Sequence, residues 1–156
     1  MAQNRKFQDF VETKYLADDA VSNAKMNASA TKHLTFLYDF AVDGGAAGSI
    51  TLKDNNGVAQ QIPAGAIVTN AYISVQTGVT SSGSATVAFG ILGNTDAFKA
   101  ATGKASLGAD VVLAGANDLP ITDAVPMDVQ VTIATAALTA GKIRIFVEYL
   151  ERGYVA

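Results

Sequence analysis

The sequence predicts an all-β domain, expected as a predominantly antiparallel β-sandwich, on three observations. Two runs near the C-terminus alternate strictly. Met127, Val129, Val131 and Ile133 share one face while Asp128, Gln130 and Thr132 take the other, and Ile143, Ile145, Val147 and Tyr149 repeat the pattern after the small-residue linker 136–141. A period of two marks a half-buried strand, because successive side chains point to opposite faces of a sheet. Further alternating runs recur from Leu34 onward with Gly-, Asn- and Ser-rich turns between them, a spacing that fits a sandwich or a barrel with little helix. Finally, 156 residues without a cysteine suit one domain plus an appendage, large enough to bury a core that needs no disulfide.

Residues 1–32 form the appendage, an N-terminal arm. They are polar and mixed in charge, with Phe7, Phe10 and Val11 at the i, i+3, i+4 spacing of one helical face and Leu16, Ala20 and Ala24 continuing an i+4 series. That stripe is too thin to bury a core by itself, so the arm is either a short helix docked on something else or an extended segment. Phe7, Phe10, Val11, Tyr15 and Leu16 are too many large apolar side chains for a pure linker, and they are the candidate partner-binding residues.

The β domain spans residues 33–156. Leu34, Phe36, Tyr38, Phe40 and Val42 alternate up to a turn at Asp43-Gly44-Gly45, Ile50 and Leu52 make a short strand, and Asp54-Asn55-Asn56-Gly57 follows as a hairpin signal, since Asn and Gly tolerate the positive φ of tight turns. After a break at Ile62-Pro63-Ala64-Gly65, the face Thr69, Ala71, Ile73, Val75 opposes Val68, Asn70, Tyr72, Ser74. The turn 80–84 leads into Ala85, Val87, Phe89 and Ile91. Between Leu92 and Asp118 the alternation weakens. Residues 94–103 read as one or two helical turns, capped by Thr95 and closed by Gly103, and Val111-Val112-Leu113 as a short strand. A connection of this length is either functional or an excursion packed over one end of the sandwich. The expected inward residues are Ile73, Val75, Val87, Phe89, Val131, Ile133, Ile145 and Val147.

The same residues leave little for covalent chemistry. Absence of cysteine removes thiolate catalysis and zinc–thiolate sites, and a single histidine, His33, cannot make a multi-histidine metal site within one chain. A net charge of -3 argues against nucleic acid, whose binding needs a basic face. The Asp54 turn lacks the twelfth-position carboxylate of a calcium loop, which is Gly65 here. Lys104 and Lys142 each follow a glycine, but Phe98 and Ala136 stand where a phosphate loop needs its first glycine. No catalytic, cofactor-binding or metal-ligating residue is assigned, and the chain is expected to be non-enzymatic. No run approaches the ~20 apolar residues of a membrane span. Polar residues follow Met1–Phe7, so no secretory signal is expected.

The run Ile62-Pro63-Ala64-Gly65-Ala66-Ile67-Val68-Thr69-Asn70-Ala71-Tyr72-Ile73-Ser74-Val75, with 82–87, Phe89-Gly90-Ile91, Leu119-Pro120-Ile121-Thr122 and 138–150, resembles virion structural proteins of tailed bacteriophages, most of all the small jelly-roll-like proteins that decorate or cement capsids. The resemblance covers roughly residues 60–150. Residues 16–26 also resemble a short segment of phage fibre and tail proteins, often found near trimer axes, but one copy occurs and no long repeat follows. The resemblance implies a jelly-roll-like sandwich, a homotrimer, attachment to the major capsid protein, and a place on the capsid surface of the virion after synthesis in the host cytoplasm. It carries over no catalytic residue. The alternative it leaves is a head-fibre or tail-fibre receptor-binding module, touching host-surface carbohydrate through residues 92–118, where Phe98 is the one aromatic.

Overall fold

The computed structural model describes residues 30–115 and 118–151. Among the described residues nine strands carry the fold: β1 (Lys32–Asp39), β2 (Gly48–Thr51), β3 (Ala66–Thr80), β4 (Thr86–Ile91), β5 (Asn94–Gly103), β6 (Val112–Gly115), β7 (Ile121–Thr122), β8 (Val129–Ala134) and β9 (Ala140–Glu151). One sheet has the order β1-β9-β3-β6 with β7 also pairing β3, and the other has the order β2-β8-β4-β5. Every pairing is antiparallel. Setting the two-residue β7 aside, the first strand pairs with the last, the second with the next to last, the third with β6 and the fourth with β5. That is one long antiparallel hairpin wrapped into two sheets, the jelly roll.

The inner faces meet as the alternation requires. Ile73, Val75, Val87, Phe89, Val131, Ile133, Ile145 and Val147 all lie in one core with Phe36, Tyr38, Phe98 and Tyr149. Each of the two sheets therefore hides an apolar face that neither could hide alone.

Four local expectations are corrected. The first strand ends at Asp39, not Val42, because Phe40–Asp43 closes into a single helical turn. Asp39 accepts from the Ala41 backbone N–H at 3.0 Å and Asp43 accepts from the Asp39 N–H at 2.8 Å. These carboxylates compete for backbone donors that a strand would need, and Val42 is left 78% exposed.

In β3 the register slips between Val68 and Asn70. Thr69 is the extra residue of a β-bulge, so Val68 joins Ala71, Ile73 and Val75 in the core and Thr69 turns outward.

Residues 94–103 are strand, not helix. Ala97 and Phe98 are fully buried against the core, and the segment pairs with β4 from Ile91↔Asn94 to Thr86↔Gly103. Tertiary pairing overrides the local cap signal. Gly90 makes the close approach possible, since a Cβ there would stand 2.3 Å from the Asn94 carbonyl oxygen.

Gln130 is not an outward solvent-facing residue. It is 7% exposed and donates through Nε2 to Thr51 Oγ1 at 3.2 Å.

Candidate functional site

The candidate site is a surface, and its best-defined portion is the outer face of the first sheet. Strand register fixes who stands beside whom. Thr35, Phe146, Tyr72 and Ala114 form one row across β1, β9, β3 and β6, and Leu37, Arg144, Ser74 and Val112 form the next. Directly opposed side chains in antiparallel strands sit about 5 Å apart at Cβ, so Tyr72 and Phe146 are neighbours. Both remain more than a third exposed, and Val112 at the rim of the face is 64% exposed.

The polar groups on that face are tied down unevenly. Asn70 Nδ2 donates to the Tyr72 hydroxyl at 2.6 Å, while Asn70 Oδ1 accepts from the Ala71 N–H at 2.9 Å, which holds Tyr72 in place. His33 and Glu148 lie 3.9 Å apart in the row beyond. Arg144, two residues from Phe146 and on the same side of β9, has its Nε buried without a hydrogen-bond partner among the described residues. A buried donor without an acceptor costs free energy until something supplies one.

Both ends of the β1–β9 pair are closed by ions. Lys32 Nζ meets Glu151 at 2.6 Å, and Lys142 Nζ meets Asp39 at 2.9 Å. The hydrogen bond from Lys142, helped by the Ala41 N–H, holds the Asp39 carboxyl below its ordinary pKa. Beneath this end, the Tyr38 hydroxyl donates to the Gly44 carbonyl at 2.8 Å. Burial, with the charges of Asp43 and Asp39 nearby, pushes the phenol up to about 12, so it is no base at neutral pH.

Two shallow depressions flank Lys53. One of about 370 Å³ lies between the Phe40–Asp43 turn and the Asp54–Gly57 turn, and one of about 400 Å³ is lined by Thr51, Gln60, Gln61 and Asp128. Neither brings a nucleophile to a base, and no group of three or more His, Cys, Asp or Glu among the described residues is placed to hold a metal. No helix among them is long and apolar enough to cross a membrane.

Phe7, Phe10, Val11, Tyr15 and Leu16 lie outside the described residues. The described chain enters at residue 30, next to β1 at the edge of the first sheet. The sequence alone does not single out Tyr72 and Phe146. The available signal was an aromatic at an outward position in each of two strands, but β3 and β9 meet only in three dimensions.

No family model and no curated protein matches the sequence. Solved structures do. A chain in the cyanophage Pam1 capsid asymmetric unit is 19% identical with a TM-score of 0.59, covering 85% of this chain and 99% of that one. A chain in the capsid of Ralstonia phage GP4 is 15% identical with a TM-score of 0.60, over 84% and 90% of the two chains. A chain in the acidic stable capsid structure of Helicobacter pylori bacteriophage KHP30 is 16% identical with a TM-score of 0.55, over 78% and 88%. The all-β jelly roll described above is thus the fold of chains found in three phage capsid structures.

Proposed function

We propose that this protein is a non-enzymatic structural component of a bacteriophage virion that sits on the capsid as a homotrimer, binds the major capsid protein and stabilises the shell. One observation carries the reading. The fold is shared with a chain of a phage capsid over 85% of this chain and 99% of that one, so the likeness extends over the solved chain and is not confined to one part of it. Three further points support it. The outer sheet face offers an aromatic pair for contact, the two depressions beside Lys53 bring no nucleophile to a base, and the arm carries five large apolar residues, Phe7, Phe10, Val11, Tyr15 and Leu16.

The receptor-binding alternative draws no support from the described residues. Residues 94–103 and 112–115 are built into the two sheets, and Phe98, the one aromatic that a sugar-contacting tip would have used, is fully buried.

The test is direct. Purified full-length protein mixed with capsids that lack it is expected to co-sediment to a saturating stoichiometry, and to appear in electron images as density on the shell. Absence of saturable binding, or density confined to the tail, overturns the reading.

A further inference from the structure

We propose that the outer face of the first sheet, centred on Tyr72 and Phe146, is the seat of the N-terminal arm of a neighbouring copy of this chain, with Asp9-Phe10-Val11-Glu12 laid over the aromatic pair beside Arg144. This deepens the reading above, in that it rests on the arm joining subunits. It starts from what the face lacks. Two aromatic rings stand more than a third exposed side by side, and beside them is the partly exposed Arg144, whose Nε has no acceptor among the described residues. The complementary ligand is apolar and carries a carboxylate.

The arm has that chemistry. Asp9 and Glu12 bracket Phe10 and Val11, so a carboxylate stands next to an apolar side chain at either end of the segment. Charge-assisted hydrogen bonds to a guanidinium are roughly twice as strong as neutral ones, and the aromatic contact adds specificity of its own.

Chain length selects the neighbour over the same copy. From the start of β1, the Tyr72–Phe146 row is three residues down the sheet and two strands across, roughly 14 Å. A few residues would cover that. Instead the 13 residues from Ala17 to Ser29 separate the apolar segment from the domain, and fully extended they reach about 45 Å. A domain of this size has a radius of gyration of about 14 Å, hence a diameter of about 35 Å. The spacer matches a span to the next subunit. Small and polar residues such as Ala20, Ser22, Asn23 and Ala28 suit that role.

The experiment uses the full chain, free of capsids. Two copies are co-expressed, one with Phe146→p-benzoylphenylalanine and the other with Val11→Ile, which marks its arm peptide by mass. Irradiation is expected to cross-link residue 146 to peptides within residues 5–17 of both masses. Cross-links to the unmarked mass alone would mean that each arm covers its own face and would overturn the proposal, as would the absence of arm cross-links. Replacing both carboxylates, Asp9→Asn with Glu12→Gln, is expected to lower the yield at least threefold; an unchanged yield overturns the pairing with Arg144. Because no capsid is present, failure here is separable from failure to bind shells.

Discussion

At the scale of single residues, Tyr38 and Gln130 show where alternation stops being informative. Tyr38 is inward as its position in β1 requires, yet its hydroxyl must find a partner and does so at the Gly44 carbonyl. Its phenol titrates near 10 when unfolded and at about 12 in the fold, so the folded state keeps the proton more firmly. The associated stability is fully present below pH 10 and is lost as pH rises toward 12. Tyr38→Phe is expected to cost about 1 kcal/mol at neutral pH through the lost hydrogen bond and to flatten that alkaline decline, checked by urea unfolding from pH 7 to 11.5. Gln130 alternates outward correctly, but it lies between Thr51 on β2 and Gly90 on β4, and the Asn94–Thr95 backbone passes over Gly90. Sequence spacing reports which face a residue is on and says nothing of what covers that face. Val131→Asp is expected to unfold the domain by placing a charge in the core. Gln130→Asp is expected to destabilise by about 1–3 kcal/mol, since it removes the Thr51 hydrogen bond and strands a carboxylate at a covered position. Chemical denaturation of both variants checks the order, and a Gln130→Asp as stable as the parent would contradict it.

Among the elements, the strands with unbroken alternation were legible and the irregular ones were not. β8 and β9 are legible from Met127 to Tyr149 because the apolar residues of each alternate on one face with no extra residue. In β3 the alternation predicts the wrong phase before Ala71, because a bulge inserts a residue that no composition signal announces. Over β5 the sequence predicts helix because Thr95 and Gly103 resemble caps, while the partner that makes it a strand is a glycine-containing segment of β4. The bulge yields a sharp prediction. Deleting Thr69 restores simple alternation from Val68 to Ala71, so the domain is expected to fold with a modest loss of stability, including the 3.3 Å hydrogen bond from Thr69 to the Glu148 carbonyl. Deleting Ser74, in a bulge-free stretch, turns one side of β3 inside out and is expected to abolish folding. Heteronuclear spectra of the two deletions decide it: a dispersed spectrum for the Ser74 deletion would refute the register argument.

For the whole molecule, the sequence reached the class and stopped short of the wiring. Period-two runs identify strands, but which strand lies beside which is settled by pairings such as Lys32↔Tyr149 that join the two ends of the domain. Those pairings also define what the domain needs. Every described member of the buried core lies between Phe36 and Tyr149, and β1 with its Lys32–Glu151 ion pair begins after residue 29. The truncated chain is expected to unfold at nearly the temperature of the full chain. What it is expected to lose is association. Five apolar arm residues, at about 1.5–3 kcal/mol each when buried, represent a gross gain of about 10 kcal/mol, from which the cost of ordering the arm is subtracted. In the proposed homotrimer that remainder is repeated over three chains, and linked contacts reinforce one another. Sedimentation is therefore expected to give a mass of three copies for the full chain and a smaller assembly for the truncated one, with shells left sparsely occupied by the latter. Equal mass and equal shell occupancy for both would move the anchoring contacts from the arm to the surface of the sandwich itself.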